Sequence, residues 1–455
     1  MSNHHTALLA ELAAQVGSIV FPGDADYARL ATPWNVSVPS APLAVVAAAD
    51  AGEVGRTLRF ATAHGIPVAV QCTGHGASGG LEDAVLVSTA RLTECTVHAE
   101  ERWARVGSGV AWQQVLDAAA PHGLAALAGS SPGVGVVGYT TGGGHGPLAR
   151  THGLASDRVR AIEVVTGDGS ELRATATEHA DLFWGLRGGK GALGIVTAIE
   201  FDLLPIPELY AGALYFDGAH TGDVVATWSR WCDELSEEAT TSIALLQLPP
   251  MPGVPEPLAG RPTVAVRFAW VGDPSRGEEV LAPMRAAAPM IIDAVGMMPY
   301  AALGRIHSDP VDPLPAHEGH ALLAGLPAEA AARLVAAAGP GSGSPQVVVE
   351  IRQLGGAVAA EGATPSAFCR RDAAFSLFSV GIAAPPVGEA VAAHAAALRE
   401  AMAPWTAPGA LPNFAPRVDA DRFRRVYTPP VLDRLRALSA KYDPAGVLVA
   451  GRGLA

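Results

Sequence analysis

Apolar and polar positions follow two rhythms along this chain, and the change from one to the other marks its parts. Residues 43–48 form a continuous apolar run of strand length. Residues 52–64 place Val54, Leu58 and Ala61 on one helical face, and residues 68–71 form a second short apolar run. That order predicts a βαβ unit. Strands are predicted next at 84–88 and over 95–106, with a helix over 111–120 closed by the turn His122-Gly123. Residues 157–204 predict paired strands around Gly167-Asp168-Gly169-Ser170, a helix over 179–186 and a long strand over 194–204. From about residue 206 to 408 the rhythm changes. Strands at 210–216, 242–248, 263–270, 320–323, 346–354 and 376–383 are separated by Ala-rich helices at 221–235, 274–288, 328–338 and 387–402. Long Pro- and Gly-containing loops join them, which predicts an α+β layer with one sheet covered by helices on one side and free on the other.

Two glycine-rich stretches interrupt the first part. Residues 67–80, PVAVQCTGHGASGG, run from a strand of the βαβ unit directly into a loop. Gly74, Gly76, Gly79 and Gly80 let main-chain N–H groups approach an anion, Thr73 and Ser78 add hydroxyls, and a pyrophosphate is the natural occupant. His75 then lies just past the carboxyl end of a strand, where open α/β sheets bind ligands. A structural turn with an incidental histidine fits the loop taken alone equally well. Residues 129–154 contain Gly-x-Gly-x-x-Gly at Gly133, Gly135 and Gly138. A nicotinamide fingerprint needs a strand before it and a helix after it. Ser130-Ser131-Pro132 provides no strand, and Gly142, Gly143 and Gly144 would cripple the helix, so that reading is set aside.

Taken together, several motifs resemble the FAD-linked oxidases of the berberine bridge enzyme type, 6-hydroxynicotine-oxidase-like members of the vanillyl-alcohol oxidase superfamily. The motifs are Gln71, Cys72, Thr73, Gly74, His75, Gly76, Ala77 and Ser78; Ser131, Pro132, Val134, Gly135 and Gly138; and Gly142, Gly143, Gly144, His145, Gly146 and Leu148. Gly153, Leu154 and Asp157 follow, then Asp181-Leu182-Phe183-Trp184, Arg187-Gly188-Gly189, Gly194, Ile195 and Val196, and Tyr442-Asp443-Pro444. The resemblance runs from about Phe21 to the C-terminus. It implies a PCMH-type FAD-binding domain in two parts, residues 1–205 and 409–455, with an inserted antiparallel-sheet substrate domain over 206–408. The free sheet face would roof the flavin, the residues from 71 to 78, 131 to 157 and 194 to 196 named above would bind FAD, and His75 would bond covalently to its 8α-methyl.

Departures from the family pattern matter as much. Ser131 stands where many relatives carry a cysteine that forms a second flavin bond, so a single linkage is expected. Gln71 replaces the usual arginine, Cys72-Thr73 replace two small residues, and Gly446, Gly451 and Gly453 replace terminal asparagines. Leu411 occupies the place of a tyrosine base, which leaves Asn413 a flavin-side or positioning role. Val134 holds the position where a small β-branched residue leaves room for O₂.

With the tyrosine absent, the strand over 346–354, QVVVEIRQL, becomes informative because side chains alternate faces. Val347, Val349 and Ile351 suit packing against helices, while Gln346, Val348, Glu350 and Arg352 share the other face. Glu350 is either half of a solvent-facing pair with Arg352 or a desolvated carboxylate in the flavin cleft, able to take a proton as a hydride leaves. Desolvation would raise its pKa and Arg352 would lower it. His145, His152, Tyr139 and Arg371 are further candidates. Residues 307–320, HSDPVDPLPAHEGH, carry metal-ligating residue types, but the spacing misses HExxH by one and Pro313 and Pro315 break any helix, so a loop over the pocket and no metal is expected.

Composition narrows the rest. A 455-residue chain can bury more than one core, and with 49% apolar and 16% charged residues but no apolar run of eighteen it reads as globular. A net charge of −13 without a basic cluster argues against nucleic acid and anionic membranes as partners. Four cysteines lack CxxC spacing and the N-terminus lacks a leader pattern, so a cytoplasmic location is expected. Lys190 and Lys441 are the only lysines. The expected function is hydride transfer from a small organic, specialised-metabolite substrate to covalent FAD, with O₂ reduced to H₂O₂. An FAD dehydrogenase, a redox-neutral cyclase or a non-catalytic flavin-binding protein are the alternatives, and the sequence is silent on oligomeric state.

Overall fold

The computed structural model describes residues 3–415 and 419–454. Met1, Ser2 and Ala455, at the ends of the first and last expected segments, lie outside the described residues. Its first sheet has four strands in the order Ile19–Val20, Ala44–Ala47, Val85–Ser88 and Val68–Gln71. The last three run parallel, and the helix Ala51–His64 makes the crossover from Ala44–Ala47 to Val68–Gln71. Asp50 caps that helix by accepting from the Glu53 amide, and Gly65, at φ 64°, ends it in the left-handed conformation that glycine adopts without a Cβ penalty. The expected βαβ unit differs in one respect: Val85–Ser88 inserts between its two strands. Burial of all four of its residues, VLVS, suits that central place.

A second, five-stranded sheet is antiparallel, in the order Cys95–His98, Trp103–Gly107, Ile195–Asp202, Val159–Val165, Glu171–Thr175. The stretch over 95–106, expected as strand, is a hairpin. Its turn falls at residues 99–102, where Arg102 takes φ 55°.

The third sheet has nine strands. Met290–Asp293, Glu208–Asp217, Pro262–Trp270, Ala239–Gln247, Val348–Gln353, Phe375–Ile382, Ala316–Leu323 and Thr406–Ala407 follow in order, and Gly296–Pro299 pairs with Glu208–Asp217. Strand alternation gives it two unlike faces. Leu214, Phe216, Ile243, Val266, Val349, Ile351 and Leu377 form one core with Trp228, Leu281, Leu334 and Met402 from the helices Thr221–Cys232, Pro274–Arg285, Ala328–Ala338 and Gly388–Met402. The other face carries Ser242, Arg267, Glu350, Arg352 and Ser376 in adjoining register positions.

Three expectations for this sheet change. The strand expected over 320–323 begins at Ala316 and takes in the last five residues of the supposed loop, because His317, Glu318 and Gly319 pair with the Phe375–Ile382 strand despite their loop-like composition. The edge strands at 290–293 and 296–299 were not expected, and the helix before them ends at Arg285. Gln346 precedes its strand and donates to the Val391 carbonyl on the helix side, so it does not share the face of Glu350.

The last segment packs back on the first part. The Tyr427 hydroxyl donates to the Gly188 carbonyl at 2.8 Å, the Tyr442 hydroxyl pairs with Asp181, and Asp443 accepts from the amides of Val447 and Leu448. The Val68 amide in turn donates to the Val447 carbonyl, which covers the outer edge of the Val68–Gln71 strand.

Tyr427→Phe removes a buried donor and leaves the Gly188 carbonyl without it, so a stability loss of roughly 1–3 kcal/mol is expected. The urea midpoint should fall with an unchanged slope; an unchanged midpoint would mean that the bond adds nothing.

Candidate active site

The loop that carries His75 leaves the end of the Val68–Gln71 strand and is held from outside. Gly74 takes φ 77°, and a Cβ there would stand 2.5 Å from the Cα of Pro33, so only glycine lets the loop close on that segment. The contact places Trp34 against His75, with ring centroids 4.7 Å apart and planes at 16°. Gln71 Nε2 reaches the carbonyls of Leu30 and Thr32, tying the same segment down from the position of the family arginine. Thr73 Oγ1 lies 2.9 Å from His75 Nδ1, so among the described residues Nε2 has no partner. Burial pulls the His75 pKa down to about 4 against the opposing pull of Asp309, which keeps the ring neutral and its lone pair available. From His75 to Gly80 the Ala77 amide alone is bonded within the described residues, to the Gly74 carbonyl. The free amides make an anion nest beside a neutral imidazole, and that donor set fits a flavin dinucleotide. Burial pushes the Cys72 thiol up to about 11, so it is no nucleophile.

The second glycine-rich stretch lies alongside. The Gly135 amide points at Thr73 Oγ1, 3.4 Å away, and a Cβ on Gly135 would sit 3.2 Å from Cys72 Sγ. Val134 turns its amide to the Ser131 carbonyl behind Pro132, and nothing lies within 4 Å of where a Cβ would stand on Gly133 or Gly138. By contrast, a Cβ on Gly142 would run into Asn413 and Lys190, one on Gly143 into Phe368, and one on Gly146 into the Ala128 carbonyl. These three glycines serve close packing. Leu148, Leu154, Ile195 and Val196 bury their side chains in the core, so only their backbones are left to touch a cofactor. Gly194 is there because Val164 and Val165 crowd it. Asp157 forms a buried pair with Arg371 at 2.6 Å and accepts from the Leu154 amide, so its carboxylate ties the first part of the chain to the segment before the Phe375–Ile382 strand.

Across the cleft the polar face of the nine-stranded sheet is organised by Glu350. Its Oε1 accepts from Ser242 Oγ at 2.7 Å and Arg267 Nη1 at 2.6 Å and lies 3.4 Å from His307 Nε2; its Oε2 accepts from Arg352 Nε at 2.7 Å. At 2% exposure it is no surface pair. Burial alone would raise its pKa, but Arg352 and Arg267, with the His307 bond, outweigh it and hold the carboxyl well below its ordinary range. A carboxylate so well satisfied is a poor proton acceptor, and the expectation that Glu350 is the base is corrected on that ground. His145 fares no better: burial takes its pKa to about 3, with Arg352 adding to the fall, and its Nε2 lacks a hydrogen-bond partner. Asn413 donates to the Tyr139 carbonyl at 2.9 Å beside Gly142, a positioning contact, and Leu411 is buried with Leu354 and Phe368.

Sequence reasoning did not name Lys190, Arg267 or Trp34 as site residues, and it set His307 and Glu318 aside as parts of a loop over the pocket. Lys190 follows Gly189 at φ 55°, and its Nζ lies 3.7 Å from where a Cβ on Gly76 would stand, next to His75. Burial brings the Lys190 pKa down to about 7, with Arg422 adding to the fall and Glu318 opposing it. Glu318, raised by burial and lowered by Lys190, also comes to about 7. The signal for Lys190 was its rarity in an arginine-rich chain. The signal for Glu318 was strand alternation, hidden while its strand read as loop.

Comparison with known proteins follows the same lines. Residues 42–175 match the model of a family described as an FAD binding domain. The (R)-6-hydroxynicotine oxidase of Paenarthrobacter nicotinovorans is 27% identical over 287 residues, 62% of this chain and 61% of that protein. The carbohydrate oxidase of Microdochium nivale is 31% identical over 214 residues, 45% of this chain and 42% of its own length. The matched stretches thus span less than two thirds of either relative. Among solved structures, 6-hydroxy-D-nicotine oxidase from Arthrobacter nicotinovorans superposes with TM-score 0.81 at 23% identity, covering 95% of this chain and 96% of that one. The BBE-like 1 protein of Physcomitrella patens gives 0.82 at 19%, covering 98% and 97%. These two show a shared fold.

Two buried histidines make stability depend on pH. His145 and His320 fall to about 3 when folded, each chiefly through burial, against an ordinary 6.5. The unfolded chain therefore binds more protons between pH 6.5 and 3, so their contribution is fully present above 6.5 and is lost as pH falls towards 3. Unfolding free energy should decline from pH 6.5 to 5, and His320→Gln should make that slope shallower by nearly one proton. Identical slopes would place His320 in water.

Proposed function

We propose that the chain is an FAD-linked oxidoreductase of the berberine-bridge-enzyme-like type, an oxidase of small organic molecules whose FAD is attached through His75 alone. The observation that carries this reading is the neutral His75 ring, with Nε2 unpartnered, at the head of a row of uncommitted amides. FAD, when bound, supplies a two-electron acceptor that passes its electrons to O₂ and gives H₂O₂.

The chain's own residues do the rest. The free amides of the 75–80 loop would hold phosphate oxygens of FAD, Trp34 keeps the imidazole in one plane, and the Ser131 hydroxyl is no substitute for a thiolate as a second link. Asn413 fixes the 139–142 turn against Lys190. Lys190 Nζ, sharing its charge balance with Glu318, takes the proton that the substrate loses, because both titrate near neutrality while Glu350 and His145 do not. In the relatives' names the substrates are a hydroxynicotine and carbohydrates; a small organic substrate for this chain is the part of that range the proposal adopts.

Denatured wild-type protein should keep yellow fluorescence on a gel, and His75→Ala should lose it; flavin that washes out of denatured wild type overturns the linkage. Anaerobic bleaching by a substrate followed by recovery in air tests the oxidase, and a bleached protein that stays pale in air is a dehydrogenase instead.

Lys190→Met should slow flavin reduction by roughly 10²- to 10⁴-fold, the range for loss of a general base, and should remove the limb of the pH profile near neutrality. An intact limb in the variant transfers the role to Glu318.

A further inference from the structure

The cluster around Glu350 holds more hydrogen-bond donors than its carboxylate can take. Oε2 accepts from Arg352 Nε and Oε1 from Ser242 and Arg267 Nη1, which leaves Arg267 Nε buried without a partner. Both terminal nitrogens of Arg352 are likewise unbonded among the described residues. Thr240 Oγ1 is a further buried group with no partner. The side chains of Arg267 and Arg352 are only 6% and 13% exposed, so little water competes for them.

Two guanidinium groups face one carboxylate. His145 and His307 are held neutral, each chiefly by burial, and cancel nothing. Asp309 turns its carboxylate to Ser130 Oγ at 2.7 Å, and its charge also acts on Arg352 without a direct ion pair among the described residues. The two guanidinium groups border a void of about 20 Å³ together with His307, Thr240 and His145. That space suits the two oxygens of a planar group and little more. A guanidinium presents paired N–H donors in a fork that matches such a group.

We propose that this pocket binds a carboxylate carried by the substrate, and so selects acidic small molecules over neutral ones of the same shape. The inference rests on the oxidase reading only in taking the cleft beneath the sheet as the substrate site. Thr240 and Arg267 Nε then donate to the bound oxygens alongside Arg352, and Glu350 orients both arginines and limits how tightly the anion is held.

The test compares benzoate with benzamide, which share a shape and differ in charge, by titration calorimetry of the purified holoprotein. Benzoate should bind at least about tenfold more tightly. Arg352→Gln should abolish that preference, and the milder Thr240→Val should weaken benzoate without moving benzamide. Glu350→Gln should tighten benzoate, because the carboxylate that competes for the arginines is gone. Equal affinity of the two probes for wild type overturns the proposal, as does a preference that survives Arg352→Gln. Calorimetry reads anion selection whether or not flavin is attached, so a colourless protein sinks the oxidase reading without deciding this one.

Discussion

A carboxylate buried in the middle of a sheet must be surrounded by donors, and much of this molecule is arranged to meet that demand for Glu350. Its partners come from three adjoining strands, Ala239–Gln247, Pro262–Trp270 and Val348–Gln353, and from His307 in the segment that follows the Tyr300–Ile306 turn. Each partner fixes the register of its strand, since a slip by one residue would turn it onto the apolar core behind. Removing the carboxylate altogether would leave two guanidinium groups unpaired inside the protein, at a cost of roughly 3–5 kcal/mol. A hydrophobic replacement of the whole cluster would be as stable or more so. Its presence is therefore better explained by the cleft it faces than by stability.

The two ends of the cleft use opposite electrostatic means. At the sheet, fixed charges of both signs lie close together and hold each other ionised. At the glycine loop the protein excludes charge: burial keeps His75 neutral, and it brings Lys190 and Glu318 to the point where either can give up its charge. Proton transfer near neutrality belongs to the second region, and recognition of charge belongs to the first.

Elements with an unbroken period were legible in the sequence. The helix Ala51–His64 and the strands Val68–Gln71 and Val348–Gln353 stand within a residue or two of where periodicity places them, because burial on one face dictates their pattern. What could not be read depends on partners distant in the chain. The first half of the strand Ala316–Leu323 looked like a loop because its polar residues face a cleft that only the folded molecule creates. The basicity of Glu350 was equally out of reach: alternation placed it beside Arg352, but Arg267 lies 83 residues away and tips the balance. Trp34 carries no motif, yet it stacks on the histidine that the motifs single out.

The strand that delivers His75 to the cleft lies at the edge of its sheet, and its outer side is covered by Val447 and Leu448, which Asp443 holds in place. This has a consequence for the order of events during synthesis. While a ribosome is still extending the chain, those residues have not emerged, and the strand beneath the glycine loop has an open side. The loop cannot be firmly seated until translation has passed them.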